Sequence, residues 1–345
     1  MRILLIGGGV QPIPPTGYGG VERVLADLRA ALVAAGHEAE VVNRVRHRRM
    51  IDEYPFAWEL PRLLKDRPYD VLHAHTPVVA NRLAIGGYPF VYTSHSRHWF
   101  YRDRMSHRWG YWLERRAVRR AKAVVALTPR LARTMASTVH PPLPPVSVIP
   151  IGVDSARFTP AWEKRSGRSA LGVGVVLPFK RWEIAARATR GLGVKLRIAG
   201  PTPSETYAAA VRAAGDHVEL LGEVSGEELR RLYSESDFLL HPSAVEVLPG
   251  VVLEAFAAGM AVVGGSAIEG IVEEGATGWA LPDSDPEAFA HTMGSRVREL
   301  TEDDRRRREM GDRARAVAES RFSWPRVAEE HLRVYRSVAP ASSGA

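Results

Sequence analysis

Short apolar runs rich in β-branched residues alternate with helical patterns along almost the whole chain. In the first half the runs lie at 2–7, 39–43, 70–75, 90–95, 122–128 and 146–150. In the second half they lie at 172–177, 195–200, 218–222, 237–242 and 261–265, with helical patterns between them at 182–190, 204–214, 226–235 and 250–258. Mostly apolar runs are typical of strands that are buried on both faces of a parallel sheet. The alternation therefore predicts an α/β protein built on doubly wound parallel sheets.

A proline-rich segment at 140–160 interrupts the alternation. Its sequence, HPPLPPVSVIPIGVDSARFTP, excludes a long helix because each proline removes a hydrogen-bond donor and fixes φ. A chain of 345 residues is also longer than a single ordinary domain. We therefore predict two domains that join near Gly152–Pro160, with a ligand in the cleft at the carboxyl ends of the strands. The segment 323–338 is predicted to be an amphipathic helix.

Composition excludes several classes of site. The chain has no cysteine, which excludes disulfides, thiolate catalysis and zinc–sulfur centres. No apolar run reaches the roughly 18 residues that a membrane span needs. The N-terminal sequence MRILLIGGGV has no signal-peptide layout, so we expect a cytoplasmic protein.

Charge is distributed unevenly along the chain. Residues 1–150 hold 22 Lys and Arg against 11 Asp and Glu, a net charge of +11, whereas the remainder holds 25 against 28. Such an excess indicates an anionic partner for the first half, although solvated arginine-rich helices explain it equally well. Arginine outnumbers lysine 42 to 5, so each lysine is a rare residue in this chain.

Glycines follow the first strand in two groups. Gly7–Gly9 invite a dinucleotide-binding interpretation, but VQPIPPTGY separates them from the next helix. The second strand also ends in Asn43 where an acidic ribose ligand is expected, which argues against a nicotinamide enzyme. Gly17, Gly19 and Gly20 stand directly before a helix, where backbone N–H groups can approach a phosphate closely. A flexible loop before the helix explains the same glycines.

Two glutamates stand eight positions apart in PSAVEVLPGVVLEAFAAG, residues 242–259. Glu254 lies among apolar or small neighbours, and a buried carboxylate without donors costs several kcal/mol. Its donors are protein groups or ligand hydroxyls, for which a ribose diol has a suitable spacing. Glu246 precedes a helix that Gly250 opens, and the free N–H groups of that helix face a ligand. The arrangement fits a ligand with hydroxyls at both ends and negative charge between them, such as a nucleotide sugar.

E-x7-E followed by A-x-A-x-G resembles the donor-site signature of retaining glycosyltransferases with the GT-B fold, in glycosyltransferase family four. The resemblance covers nearly the whole chain and includes, in order, GYGGVERVLADLRAALVAAGHEAEVV, DVLHAH, VYTSHS, VIPIGVDSARFTP, DFLLHPSAVEVLPGVVLEAFAAG and RFSWPRVAEEHLRVY. It implies two Rossmann-like domains that face each other across a cleft, with the C-terminal helix crossing back to the first. The acceptor-binding domain would be 1–152 with the helix 323–338, and the nucleotide-sugar-binding domain 153–322.

The resemblance assigns donor-binding roles residue by residue. Glu254 would hold the ribose diol, and Glu246 the hydroxyls of the donor sugar. Backbone N–H groups at Gly250 and Val251 would help hold the sugar or the phosphate. Lys180 would neutralise the departing diphosphate, because a fixed cation in a dry site binds developing charge most strongly in the transition state. A solvated loop lysine would explain Lys180 without a function.

Further roles concern the first domain and the base. Gly19 and Gly20 would approach the diphosphate from the first domain, and Gly222 and Val224 would lie beside the nucleobase. His95 would contact the donor sugar near the reacting carbon, as a third catalytic residue beside the lysine and the first glutamate. A strand-end histidine that is hydrogen-bonded within the core is the alternative for His95.

Three positions depart from the family pattern. Val175 stands where an arginine is usual, and we hypothesise that Arg181 supplies the second positive charge instead. Ile151 replaces a usual asparagine in the interdomain segment. Gly270 occupies the position of a usual glutamate, in a loop that is shorter than is typical, so the donor's identity cannot be copied from relatives.

The implied reaction is retaining hexosyl transfer from a UDP- or GDP-type sugar to an acceptor hydroxyl. The departing phosphate oxygen takes the acceptor proton on the same face, so no Ser–His–Asp set or glycosidase-type carboxylate pair is needed. We expect no metal and no cofactor, since the nucleotide sugar is a substrate. A GT-B-like protein that binds, hydrolyses or epimerises a nucleotide sugar without transfer is the alternative.

The acceptor side is less defined by the sequence. Residues 97–122, RHWFYRDRMSHRWGYWLERRAVRRAK, are basic and aromatic. They fit an anionic membrane at its inner face or a lipid-linked acceptor, a carbohydrate or aromatic-ligand pocket, or a helix with core-facing aromatics and solvated arginines. Nucleic-acid binding is not expected because the chain carries no recognised nucleic-acid module. Small molecules, glycans and lipid-linked acceptors all remain open.

Overall fold

The computed structural model describes residues 1–15, 19–45, 52–100, 105–140 and 142–339. The chain divides into two compact units. The first comprises Met1–Gly152 and the C-terminal segment that begins at Trp324, and the second comprises Val153–Ser323. Each unit contains one parallel sheet with flanking helices, which confirms the predicted fold class. None of the described helices is both long enough and apolar enough to span a bilayer.

The first unit is a doubly wound parallel sheet with helices between its strands. Its described strands are β1 Arg2–Ile6, β2 Glu38–Val42, β3 Val71–Ala74, β4 Val91–Ser94, β5 Ala123–Ala126 and β6 Val146–Val148. Its helices are α1 Gly20–Ala34, α2 Glu53–Leu64, α3 Pro77–Ile85, α4 Arg108–Arg120 and α5 Pro129–Thr138. The strand order is β2-β1-β3-β4-β5-β6. Strands β3, β4 and β5 are buried along their whole length, which explains why the sequences of β3 and β5 are mostly apolar.

The second unit repeats this architecture. Its described strands are β7 Ser169–Val173, β8 Lys195–Ala199, β9 Val218–Gly222, β10 Phe238–His241, β11 Ala261–Gly264 and β12 Gly278–Ala280. Its helices are α6 Trp182–Thr189, α7 Glu205–Arg212, α8 Gly226–Glu235, α9 Gly250–Ala257, α10 Pro286–Glu302 and α11 Asp304–Arg321. The parallel strands lie in the order β12-β11-β10-β7-β8-β9. Trp182 and Phe238 are among the fully buried residues of its core.

The last helix, α12 Trp324–Val338, belongs to the first unit although it follows the second in sequence. Pro325 stands in its first turn, where a missing N–H removes no intrahelical bond. The helix buries Val327, Leu332 and Tyr335 in the same core as Leu5 of β1. This packing confirms that the C-terminal helix returns to the N-terminal unit.

The second unit also differs from the prediction in three places. β7 ends at Val173 rather than extending to 177, because Gly174 has a φ of +147° and breaks the extended conformation. Val176 is nevertheless buried, in the same core as Trp182, so the apolar run continues past the strand. Three further elements were not predicted: β12, which has three residues, and the helices α10 and α11, the second of which is dominated by charged residues.

Candidate active site

The strand order of the second unit reverses between β7 and β10. These strands are hydrogen-bonded neighbours, but the chain continues from β7 to one side of the sheet and from β10 to the other. Loops that diverge in this way open a crevice at the carboxyl ends of the strands, where α/β proteins bind ligands. Lys180 lies in a single helical turn after β7, and Glu246 lies in the loop after β10. Two of the predicted donor-site segments therefore meet at this crevice.

Lys180 and Glu246 form a buried ion pair there. The Lys180 Nζ donates to the Glu246 Oε1 at 2.6 Å, and the Ser243 hydroxyl donates to the same oxygen at 3.0 Å. Lys180 is only 8% exposed. Burial by itself would raise the pKa of Glu246, but the adjacent ammonium and the two hydrogen bonds outweigh burial and hold this pKa below its usual value. Glu246 is therefore a carboxylate at neutral pH, beside a cation that the fold shields from water.

His241 is a buried neighbour of this pair that the sequence analysis did not select. It is the last residue of β10, and burial, followed by the charge of Lys180, lowers its pKa to about 3. Its imidazole is therefore neutral at physiological pH, and its Nε2 has no hydrogen-bond partner among the described residues. The available signal was a histidine ending an otherwise apolar strand, at the edge of the sheet where ligands bind.

Arg181 adopts a left-handed backbone conformation, with φ 55° and ψ 40°. Its Nε donates to the Pro242 carbonyl at 2.7 Å, its Nη1 donates to the Asp283 carbonyl at 3.1 Å, and its Nη2 donates to the Asp283 carboxylate. The guanidinium thus joins the loops that follow β7, β10 and β12, and Asp283 offsets its charge. This geometry favours a structural role, and the hypothesis that Arg181 replaces the arginine missing at Val175 stays a prediction.

We expect Arg181→Ala to lower the free energy of unfolding by about 2–3 kcal/mol, because it leaves the Asp283 carboxylate largely buried without its partner. Urea denaturation measures this loss. Arg212→Ala is the matched control, since Arg212 pairs with an exposed glutamate, and its cost is expected to stay below about 1 kcal/mol. The double variant Arg181→Ala/Asp283→Ala should recover part of the loss. Equal costs for Arg181→Ala and Arg212→Ala would contradict the structural role.

Glu254 accepts a hydrogen bond from a side chain of the protein. The Tyr233 hydroxyl, on α8, donates to the Glu254 Oε2 at 2.7 Å, and Tyr233 is fully buried. Glu254 itself keeps part of its surface exposed. Gly250 and Val251 are the first two residues of α9, whose N-terminus has no capping side chain. The carboxylate is therefore anchored on its inner side by the protein, on a helix whose N-cap residue, Pro249, provides no side-chain acceptor for the first N–H groups.

The residues predicted to lie beside the base are at the same edge of the sheet. Gly222 ends the edge strand β9 with a φ of +69°, a conformation that favours glycine. Val224 follows two residues later and is partly buried. Since β8 separates β9 from β7, both residues stand two strands away from the loop that carries Lys180.

The glycines before α1 differ in their surroundings. Gly17 lies outside the described residues. Gly19 is buried, and a Cβ atom there would approach Pro15 Cβ to 2.8 Å, so packing within the chain already requires glycine. Gly20, the first residue of α1, is exposed, and a Cβ atom there would meet nothing within 4 Å. Their predicted approach to a diphosphate stays a prediction.

His95 follows β4 and belongs to a row of histidines in the first unit. Its Nε2 lies 3.1 Å from the His75 Nδ1, and the two rings stack with their centroids 5.3 Å apart. His73, next in the row, bonds through Nδ1 to the Tyr335 hydroxyl on α12 at 2.7 Å. His331, also on α12, helps line a cavity of about 10 Å³ with His75 and His95, which is room for about one water. His95 is thus bonded within its own unit, and its predicted role at the donor sugar stays a prediction.

Acid should destabilise the first unit through these histidines. Burial lowers the pKa of His95 and of His331 to about 4, below the unfolded value of about 6.5. Between these values the unfolded chain binds more protons, so stability falls as the pH decreases through this window. From pH 7 to pH 5 we expect each histidine to remove about 2 kcal/mol, seen as a lower Tm.

The matched comparison is His331→Gln against His291→Gln, since His291 is exposed on α10. Only the first substitution should flatten the dependence of Tm on pH between 7 and 5. If both variants keep the dependence of the parent protein, the buried histidines are not its cause.

Family models and known proteins resemble this chain over most of its length. Residues 18–157 match the family model described as Glycosyltransferase Family 4, and residues 174–298 match the one described as Glycosyl transferases group 1. Alpha-maltose-1-phosphate synthase of Mycolicibacterium smegmatis is 30% identical over 312 aligned positions, which cover 78% of this chain and 79% of that protein. D-inositol 3-phosphate glycosyltransferase of Kineococcus radiotolerans is 31% identical over 260 positions, covering 65% and 59%.

Solved structures with the same fold are more distant in sequence. Sucrose-phosphate synthase from Thermosynechococcus elongatus superposes with a TM-score of 0.83 at 20% identity, covering 97% of this chain and 98% of that one. Anabaena Alr3699/HepE, solved with UDP and glucose, superposes with a TM-score of 0.76 at 19% identity, covering 98% of this chain and 100% of that one. At such identities the superpositions establish the fold alone.

Proposed function

Because the chain belongs to glycosyltransferase family 4, we propose that it transfers a sugar from a nucleoside diphosphate to an acceptor hydroxyl, with retention of the anomeric configuration. Its fold is of the GT-B type, and the relative from Kineococcus radiotolerans is named a glycosyltransferase. The donor, the stereochemistry and the roles of individual residues are our proposal.

The buried Lys180–Glu246 pair is the observation that carries this proposal. Withdrawing a cation and an anion from water costs stability, so a buried pair of this kind at a ligand-binding crevice is a candidate functional site. A sugar bonded to a diphosphate presents hydroxyls and phosphate oxygens side by side. The two charged ends of the pair match that ligand, with the ammonium toward the phosphate and the carboxylate toward the sugar.

The rest of the donor is proposed to lie along α9. Glu254 accepts hydrogen bonds from the ribose diol while Tyr233 holds its inner oxygen. N–H groups of the first turn of α9, at Gly250 and Val251, donate to phosphate or sugar oxygens, aided by the positive end of the helix dipole. The base then lies toward Gly222 and Val224. No cofactor is required by this arrangement.

In the proposed reaction the bond between the anomeric carbon and the phosphate oxygen breaks with its electrons on the phosphate. The acceptor oxygen bonds to the anomeric carbon on the same face, and its proton passes to the departing phosphate oxygen. Lys180 stabilises the charge that develops on the leaving group, and Glu246 orients the sugar. Metal independence stays a prediction of the family resemblance.

Three observations guide the choice of substrates. The Anabaena neighbour was solved with UDP and with UDP-glucose, which makes a uridine donor the first candidate. The relatives named above carry a phosphorylated sugar or a phosphorylated inositol in their names. In the first unit, Arg62 and the Arg44–Glu59 ion pair line a hollow of about 370 Å³ near the carboxyl end of β2. A phosphorylated polyol or sugar is therefore the first acceptor to test.

Nucleotide release from a panel of UDP-, GDP-, ADP- and TDP-sugars tests the function. The panel is run with and without sugar phosphates, inositol phosphates and lipid-linked acceptors. We expect release from one donor that an acceptor accelerates, with the product retaining the anomeric configuration by NMR. Release that no acceptor changes would favour hydrolysis or epimerisation, and binding of donors without any release would contradict enzyme activity.

A further inference from the structure

Large aromatic side chains are exposed on two neighbouring helices of the first unit. Trp58 on α2 is 74% exposed, and Trp109 and Trp112 on α4 are 60% and 47% exposed. Tyr54, one turn before Trp58 on α2, is 42% exposed. A core position for the tryptophans of α4, one of the sequence-based alternatives, is therefore wrong for Trp109 and Trp112. Exposed aromatic groups of this size mark interaction surfaces more often than isolated apolar residues do.

Three of these side chains touch one another across the two helices. The rings of Trp109 and Trp112 stack with their centroids 5.0 Å apart and their planes 18° apart. The Trp109 Nε1 donates to the Tyr54 hydroxyl at 3.3 Å. Together with Trp58, these residues are called the aromatic face. Residues 101–104 of the same basic and aromatic segment lie outside the described residues.

Arginines surround the aromatic face. Arg82 of α3 lies over the Trp58 ring at 5.1 Å, and Arg116 lies over the Trp112 ring at 5.6 Å. Arg108, Arg119 and Arg120 of α4 are exposed, and none of these three forms an ion pair with a described residue. Such uncompensated positive charge next to aromatic rings suits an anionic partner.

The single carboxylate of α4 faces the core. Glu114 is buried, and its Oε2 accepts hydrogen bonds from the Tyr92 hydroxyl at 2.8 Å, the Ser94 hydroxyl at 2.8 Å and the Trp99 Nε1 at 3.2 Å. Burial raises its pKa to about 7. On α2, Glu59 is paired with Arg44. Glu114 is thus turned inward and Glu59 is paired, so the exposed charges on α4, all of whose backbone is described, are positive.

We propose that the aromatic face and the exposed arginines of α4 dock on the surface of an anionic phospholipid bilayer. Tryptophan and tyrosine rings favour the region between headgroups and hydrocarbon, and arginines next to them are attracted to anionic headgroups. A neutral glycan does not account for the unpaired arginines, and a soluble polyanion does not account for three exposed tryptophans. A bilayer accounts for both features together.

Vesicle binding by the full chain tests this proposal. Co-sedimentation is measured at about 0.1 M salt with phosphatidylcholine vesicles and with vesicles of equal parts phosphatidylcholine and phosphatidylglycerol. We expect binding to the anionic vesicles alone, with a blue shift of tryptophan fluorescence and quenching by brominated lipids. Arg119→Ala/Arg120→Ala should weaken binding about 25-fold. Trp109→Ala/Trp112→Ala should weaken it by at least about tenfold and remove most of the quenching.

Arg212→Ala/Arg298→Ala, two exposed arginines of the second unit, should leave vesicle binding unchanged. If the tryptophan variant does not fold, vesicle binding by Arg119→Ala/Arg120→Ala still tests the proposal. Equal binding to both kinds of vesicle, or parental binding by the arginine variant, would overturn the proposal. Retention on heparin without vesicle binding would overturn it in favour of a soluble polyanion, and self-association that Trp109→Ala/Trp112→Ala abolishes would do so in favour of a second copy.

Discussion

Replacing Lys180 by alanine is expected to lower kcat by about 100- to 1,000-fold with the donor that the panel identifies. The ammonium is fixed by a 2.6 Å hydrogen bond in a buried site, so it meets the charge on the departing phosphate without rearrangement of water. Loss of one such preorganised group from other enzymes has effects of this size. Steady-state assays of nucleotide release give the value.

Lys195→Ala is the matched control for this experiment. Lys195 lies in the same unit, on β8, and its ion pair with Glu219 is exposed, so its removal should leave kcat unchanged. Thermal unfolding of both variants shows whether the fold is intact, because Lys180→Ala leaves Glu246 without its main partner. A folded Lys180→Ala variant that turns over within threefold of the parent would contradict the proposed role.

The two glutamates are expected to respond in opposite ways to substitution by glutamine. Glu254→Gln should weaken binding of the free nucleoside diphosphate by about 10- to 100-fold, because the ribose loses a charge-assisted acceptor. Glu246→Gln should reduce kcat by about 100-fold while the affinity for the free nucleoside diphosphate is unchanged or higher. Glu246 is proposed to touch only the sugar, and its neutral substitute no longer competes with the phosphates for Lys180.

Calorimetric titration with the nucleoside diphosphate, together with donor kinetics, separates these outcomes. Tyr233→Phe is a useful comparison, since it removes the 2.7 Å hydrogen bond to Glu254 without touching the ligand, and a smaller loss of affinity than for Glu254→Gln is expected. Equal losses of nucleotide affinity for Glu246→Gln and Glu254→Gln would show that the glutamates do not serve different ends of the donor.

Much of the fold follows from local pattern. Strands such as β5, β10 and β11 are short, buried along their length and mostly apolar, so the sequence reveals them directly. The predicted strand at 172–177 extends beyond the observed end of β7 because Val176 is buried by packing in the core rather than by pairing with another strand. An apolar pattern does not distinguish these two kinds of burial. The helix α11 was not predicted because its many charged residues weaken the apolar periodicity from which helices are predicted.

The candidate site was harder to predict than the fold. Glu254 stands out because a carboxylate in an apolar run needs hydrogen-bond donors. Glu246 and Lys180 stand out mainly through the family resemblance. The hydrogen-bond partners, such as Tyr233 for Glu254 and Asp283 for Arg181, come from distant segments of the chain. The local sequence around either residue of such a pair does not indicate the other. Such contacts depend on which strands are neighbours, and periodicity carries no information about that.

A crystal structure of the protein with the nucleoside diphosphate identified by the panel tests the central claim most directly. We expect phosphate oxygens to lie at hydrogen-bond distance, about 3 Å, from the Lys180 Nζ, and the ribose hydroxyls to contact the Glu254 carboxylate. A nucleotide bound elsewhere, with the Lys180–Glu246 pair undisturbed and Glu254 without ligand contact, would contradict it.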